Sequence, residues 1–435
     1  MGDLTILRNS SLQILRANNR ILRSTEGLYM EWEIDEMVLN GYIPVANGNE
    51  FYNVRNTGSR IMGLGTKWEG TYTTGTDKKY IQVRHVNAAD FGPMPSFNFS
   101  GIYDGNLLTL FGFVWTAGFL GIFDLNTGTI KNINAKNHAG ELSGIVRRNQ
   151  ATGKIQNCSI RYKNNTTVVR AGGGLCEENS GEIDNCVAIV DINSTGQAAA
   201  AGLVAVNFGT IKNCKTFGNI YCILRNSGGM IGLNSGTGAF VSNCHSYVNI
   251  TVASVGVNSN CGGFVGYSTA GAKIEKSSAH GNATTITATA SGNNCGGFVG
   301  AYETGSSLII DCYSTGNVSC ANSMAGGFSG WTISGAFTNC YSMGAVSGVS
   351  NVGGFSGLGA GTMTNCYYDK DTSGKSDTGK GLPRTTAQMK EGTASSFILP
   401  AGGTDPGSLA ANAMYTSWDT AIWDFLTTAD YPILK

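Results

Sequence analysis

Gly263-Phe-Val-Gly266 and Gly297-Phe-Val-Gly300 are the same four residues, repeated 34 positions apart. With one or two letters changed the element returns as Gly118-Phe-Leu-Gly121, Gly229-Met-Ile-Gly232, Gly327-Phe-Ser-Gly330 and Gly354-Phe-Ser-Gly357. Degraded copies begin at Gly144, Gly174 and Gly202. From start to start the steps are 26, 30, 28, 27, 34, 34, 30 and 27 residues. A second element follows each first one: Asn157-Cys158, Asn185-Cys186, Asn213-Cys214, Asn243-Cys244, Asn339-Cys340 and Asn365-Cys366, with Asn132-Ile133, Lys276-Ser277 and Asp311-Cys312 in the same slot. Two elements held in register at such a period mark a repeat architecture.

Each unit reads as three short strands. The first is the Gly-Phe-Val-Gly segment, the second leads into Asn-Cys as in Ala239–Cys244, and the third follows a glycine turn as in Gly316–Cys320. Alternation with period two puts the Phe, Cys and Val positions on one face. One unit cannot bury that face, whereas stacked units can, with like residues about 4.8 Å apart in ladders. The expected fold is therefore all-β: a right-handed parallel β-helix, or β-solenoid. Nine coils give a rod of roughly 40 Å. The Asn before Cys is expected to form an amide ladder at a bend. A β-propeller fits poorly, because its blades run to about 40–45 residues.

Composition agrees. Gly is 62 and Pro only 7, which suits many tight turns. Lys+Arg and Asp+Glu are 29 each, so nothing argues for electrostatic capture of nucleic acid. No stretch approaches the roughly 20 apolar residues of a membrane span. Arg8, Arg16, Arg20 and Arg23 interrupt any secretion-signal core, so synthesis in a cytoplasm is expected. The 12 cysteines follow the repeat and show no zinc-ligand spacing, so they read as reduced, buried thiols.

These motifs resemble the GLUG family of repeats, named for a Gly–Leu–uncharged–Gly element. The resemblance covers about residues 40–435. It includes the approach Phe99-Ser-Gly-Ile-Tyr-Asp-Gly-Asn106 and the closing runs Asn365–Gly374, Thr385–Met389, Trp423-Asp-Phe425 and Tyr431–Leu434. Such repeats are seen in bacterial surface proteins, filamentous-haemagglutinin-like adhesins and regions attached to some secreted peptidases. The resemblance implies architecture and no single activity.

Four segments follow: an N-terminal oligomerisation or docking segment (1–40), a β-rich capping region (41–115), the repeat helix (116–368) and a C-terminal cap (369–435). Ile6-Leu-Arg8, Ile14-Leu-Arg16 and Ile21-Leu-Arg23 suit a short oligomerising helix or short β segments. Trp418 and Trp423 belong to a cap over the last coil.

Catalytic chemistry is weakly signalled. Glu177 with Asp184 is the best carboxylate pair. His85, His138, His245 and His280 are scattered. Asp369–Asp377 opens like a calcium loop but carries Lys380 where bidentate Glu belongs. No metal or cofactor is expected. Surface aromatics are the better lead: Tyr247, Tyr267, Tyr302, Tyr313, Tyr341 and Trp331 recur in the coils, and an exposed Tyr313–Tyr341 stripe would stack on a glycan, with Tyr267, Tyr302 and Trp331 beside it as candidate binding residues. The sequence thus points to a non-enzymatic, receptor-binding homotrimer. A tail fibre of a virion or phage-like particle comes first, binding a host-surface glycan or protein. A bacterial surface or secreted adhesin is the alternative, and a tailspike-type polysaccharide-degrading enzyme the third reading.

Overall fold

The structure is a computed structural model. It describes residues 27–91, 96–112, 121–136, 144–164, 172–194, 199–223, 226–253, 259–286, 293–303, 307–321, 324–359, 361–377, 380–390, 414–415, 417–425 and 430–435, and the backbone of 5–9, 12–17 and 20–21. Strands stack in parallel, coil over coil, into a β-helix. Each full coil crosses four strand columns, S1 to S4, of which S1 and S2 are the two arms of one bent sheet and S3 and S4 are sheets of their own. In one coil these are Thr210–Lys212 (S1), Lys215–Cys222 (S2), Asn226–Gly228 (S3) and Ile231–Ser235 (S4).

The bend from S1 to S2 is the Asn-Cys element. Asn132, Asn157, Asn185, Asn213, Asn243, Asn339 and Asn365 all take a left-handed backbone, with φ from 51° to 55°. Asn tolerates that conformation better than most residues. Its amide also bonds along the rod, as from Asn157 Nδ2 to Asn132 Oδ1 at 2.6 Å and from Asn243 Nδ2 to Asn213 Oδ1 at 2.7 Å. The expected amide ladder is present. The next residue turns inward: Cys158, Cys186, Cys214 and Cys244 form one column, each of the first three amides facing the next sulfur at 3.4–3.5 Å. All 12 cysteines are buried and none forms a disulfide. Burial raises the Cys158, Cys186 and Cys214 thiols well above the usual range, which keeps them in the unreactive thiol form.

The corner from S3 to S4 explains the paired glycines. A Cβ on Gly297 would lie 2.1 Å from the Gly327 carbonyl oxygen of the next coil, and one on Gly300 would lie 2.6 Å from the Cys261 nitrogen of the coil before. Backbone there meets backbone, and only hydrogen fits. Phe264, Phe298, Phe328 and Phe355 follow the corner and stack inside the rod with centroids 4.7 Å apart.

Three features differ from the sequence reading. First, S3 is an additional strand. It is built from small residues of changing identity, with Ala200, Ser227, Cys261, Cys295 and Ala325 in register. Second, what reads as a separate third strand is the continuation of S2. It is unbroken in Val187–Ser194, Lys215–Cys222 and His245–Ala253 and interrupted in later coils. Third, the stack starts before residue 116. Tyr42–Val45, Lys79–Gln82 and Ile102–Asp104 already pair in S1, so the rod extends to roughly 50 Å. Helices α1 (Glu31–Leu39) and α2 (Gly48–Asn53) and the hairpin Gly58–Met62/Gly70–Thr74 are insertions around these entry coils. The buried Glu50 carboxylate holds them by accepting from the Ala46, Gly63 and Leu64 amides at 2.7–2.9 Å.

Residues Thr5–Asn9, Leu12–Ala17 and Arg20–Ile21 pair as an antiparallel meander, which corrects the helical option for that segment. The first repeat, Gly118–Leu120, lies outside the described residues. At the other end, Met414–Tyr415 and Ser417–Phe425 return as a strap along the side of the last coils, burying Trp418 and Trp423 against Tyr313, Tyr341 and Tyr367.

Candidate binding face

S2 carries the longest strands of the rod, 8 or 9 residues each in Val187–Ser194, Lys215–Cys222 and His245–Ala253. Alternation sends Thr216, Ile220 and Cys222, and Ser246, Val248 and Ile250, into the core. The intervening residues face out and fall into columns. One column reads Lys136, Arg161, Ile189, Phe217 and Tyr247 in direct register. His280 continues it, stacked on Tyr247 with centroids 4.4 Å apart and planes 6° apart. Phe217 stacks on the other side of Tyr247 at 4.9 Å and 7°. Both faces of Tyr247 are thus occupied by neighbours, so it presents its edge and hydroxyl outward. Tyr247 is 40% exposed, Ile189 and the nearby Tyr221 37% each.

Beneath the upper end of this column lies a polar cluster. Ser278 Oγ is 2.7 Å from His245 Nδ1 and 2.8 Å from His280 Nε2, and Thr315 Oγ1 is 3.3 Å from His280 Nδ1. The stacking register joins histidines that the sequence leaves 35 positions apart. The serine has no exposed surface, and among the described residues no carboxylate joins the chain of contacts, so these groups do not form a nucleophile–base–acid arrangement. It fixes the orientation of both rings. Burial holds both imidazoles down at about 4, with Lys215 adding to the effect at His245.

A pH dependence follows. The folded chain resists protonation of these rings while the unfolded chain accepts protons near the ordinary value of 6.5. Their contribution is intact above pH 6.5 and is lost as the pH falls through 4. Urea midpoints at pH 7, 5 and 4 are expected to fall more steeply for the natural chain than for a His245→Gln/His280→Gln variant.

The aromatic residues singled out from sequence separate into two groups. Tyr313 and Tyr341 do stack, at 5.0 Å and 2°, as a ladder. They are not an exposed stripe, however. Tyr341 has no exposed surface, its hydroxyl donates to the Pro432 carbonyl at 2.6 Å, and Trp418, Trp423 and Tyr431 cover the pair. Tyr302 is also interior, packed 4.9 Å from Phe337. These three cannot stack on a glycan. Tyr267 and Trp331 stand half-buried in S4, in register with Ala301 between them. Of the open ladder, sequence offers Tyr247 among the recurrent aromatics and His280 among the scattered histidines, but neither Phe217 nor the stack that joins the three rings.

The two carboxylates paired from sequence stand in different surroundings. Glu177 lies in S4, where its charge and that of Glu178 act on Arg147, which also pairs with Asp124. Asp184 lies in S1 and accepts from Asn213 Nδ2 at 2.7 Å, serving the amide ladder. The best sequence pair is thus split between two sheets. Asp369 begins no calcium loop. It caps helix α3 (Lys370–Ser373), accepting from the Asp371 and Thr372 amides at 2.9 and 3.1 Å, and its other oxygen takes the Thr386 and Tyr431 hydroxyls. Among the described residues no group of three His, Cys, Asp or Glu side chains is placed to hold a metal, and no helix is long and apolar enough to cross a membrane.

No family model matches the chain. Over 73 residues it is 48% identical to a "Putative Gly-rich membrane protein" of Evansella cellulosilytica. That match spans 15% of this chain and 8% of the relative, so less than a tenth of that protein's length is represented. Among solved structures, the chain is similar to a "putative immunoglobulin A1 protease" from Bacteroides ovatus, with 14% identity and a TM-score of 0.39 over 91% of this chain and 94% of that one.

Proposed function

We propose that the chain is a non-enzymatic binding rod, whose β-helix presents the outer face of S2 to a glycan or protein on a cell surface. The observation that carries this reading is the open ladder of Phe217, Tyr247 and His280 on the widest and most regular sheet. Large aromatic edges spend solvent exposure on a surface that the strap leaves open one coil short of Tyr313. A rigid sheet with rings locked by stacking binds at low conformational cost. Its setting, in the first reading, is a trimeric appendage of a phage-like particle attached through the N-terminal segment. The rod shape and the column of unpaired, buried thiols support assembly inside a cell. The second reading, a bacterial surface adhesin, is favoured by the 73-residue similarity to a protein named for a membrane location.

The test is binding to a printed array of bacterial and host polysaccharides and to whole cells. Tyr247→Ala is expected to lose on the order of tenfold or more in affinity, as for a central interface aromatic. Because the residue is outward-facing, its unfolding midpoint should stay near that of the natural chain. Undiminished binding by the variant, or no binding by either protein, contradicts the proposal.

A further inference from the structure

The same column that carries the rings begins with cations. Lys136 and Arg161 are in direct register, and Ile189 and Phe217 follow in the next two coils. Lys215 stands two residues before Phe217, also facing out. All three cations are exposed, and none of the ion pairs found among the described residues uses them. Asp191 is the one described carboxylate facing out on this part of S2, and it lies in the neighbouring column beside Asn219. The whole chain is neutral and sparsely charged, with 13% charged residues, so three cations that stand outside the ion pairs of the described residues form a local field on this strip. The histidines add none of this charge at neutral pH, because burial keeps them unprotonated.

We infer that the ligand of this face is an acidic saccharide polymer laid along the rod axis, its anionic groups over Lys136, Arg161 and Lys215 and its sugar edges over Phe217, Tyr247 and His280. This rests on the reading of S2 as the binding face. The geometry is that of a linear ligand. Six residues in one file rise about 4.8 Å per coil, a spacing close to one sugar unit of an extended chain. Guanidinium and ammonium groups recognise carboxylate or sulfate. Tyr221, Asn219 and Asn249 flank the file with hydrogen-bonding groups suited to hydroxyls.

The experiment measures affinity of the full chain for polygalacturonate, sulfated dextran, neutral dextran and single-stranded DNA at two salt concentrations. The expected result is salt-sensitive binding of an acidic glycan, no measurable binding of neutral dextran, and weaker binding of DNA. The carboxylated and sulfated polymers separate the two possible sources of charge. A Lys136→Gln/Arg161→Gln/Lys215→Gln variant is expected to lose roughly tenfold, the product of three exposed ion pairs. A control with Lys79→Gln, Lys154→Gln and Lys370→Gln should lose little. Equal loss in the control, equal binding of neutral dextran, or a preference for DNA overturns the inference. Should the triple variant bind as the natural chain does while Tyr247→Ala fails, the acidic class falls and the binding face stands. If Tyr247→Ala binds normally as well, the face itself is wrong.

Discussion

Gly297→Ala is expected to leave no folded rod at 37 °C, although it adds a single methyl group. The added carbon would stand 2.1 Å from the Gly327 carbonyl oxygen and 3.1 Å from Ser314 Oγ. The first of these neighbours is backbone and cannot rotate away. Relief requires moving the S3–S4 corner of one coil away from the next, which separates Phe298 from Phe328 at their 4.7 Å spacing. Overpacking in a core costs about 1–3 kcal/mol when side chains can yield, and a backbone obstacle puts this change at the upper end or beyond. A solenoid has no other route around the fault, because each coil touches only its neighbours. The control is Gly172→Ala, at an S3 glycine where an added Cβ meets nothing within 4 Å and the backbone needs no positive φ. Circular dichroism midpoints should fall by many degrees for the first variant and barely move for the second. A normal midpoint for Gly297→Ala means that the corner is not packed as described.

Asp369→Ala has the second largest expected effect, and a local one. One oxygen caps helix α3 and the other receives the Thr386 and Tyr431 hydroxyls, so a single carboxylate fastens α3, helix α4 (Thr386–Lys390) and the strap to the last coil. Removing it leaves several buried donors without an acceptor, at a cost of about 3 kcal/mol. Trp418 and Trp423 report the outcome, since both are buried in the strap cluster. Their fluorescence should shift to the red at a denaturant concentration where strand dichroism persists. Asp369→Asn, which keeps an oxygen for the cap, should fall between the two. Added calcium should change none of these midpoints, because both carboxylate oxygens are already engaged.

The parts of this molecule that sequence revealed are those whose chemistry is the same in every coil. The Asn at the left-handed bend, the Cys behind it and the Phe after the glycine corner recur because each position admits few residues. Sheet S3 escaped notice because its inward position asks only for something small, and Ala, Ser and Cys all satisfy it. A second, interior amide ladder was legible in retrospect. Asn126, Asn149, Asn179, Asn207 and Asn234 bond side chain to side chain at 2.8 Å, and four of them precede a glycine by two residues. The candidate face shows in sequence only as the separate Tyr247 and His280, for the opposite reason. Its column changes letter at every coil, from Lys136 through Ile189 to His280, so only the register assembles it. The Tyr313–Tyr341 ladder was visible, but its cover, Trp418, Trp423 and Tyr431, comes from residues 77 to 118 positions later, a long-range contact that no local pattern encodes.

The outer columns and the binding face require coils that rise one strand spacing at a time. Spin labels on the outer column measure that rise, with double electron–electron resonance between Arg161→Cys and Tyr247→Cys, Lys136→Cys and Tyr247→Cys, and Lys136→Cys and His280→Cys. These pairs are three, four and five coils apart. The expected mean distances are about 14, 19 and 24 Å, growing by one strand spacing each time. Distances that do not increase in this order, or that cluster at values set by separate globules, contradict the stacked columns and the binding face built on them.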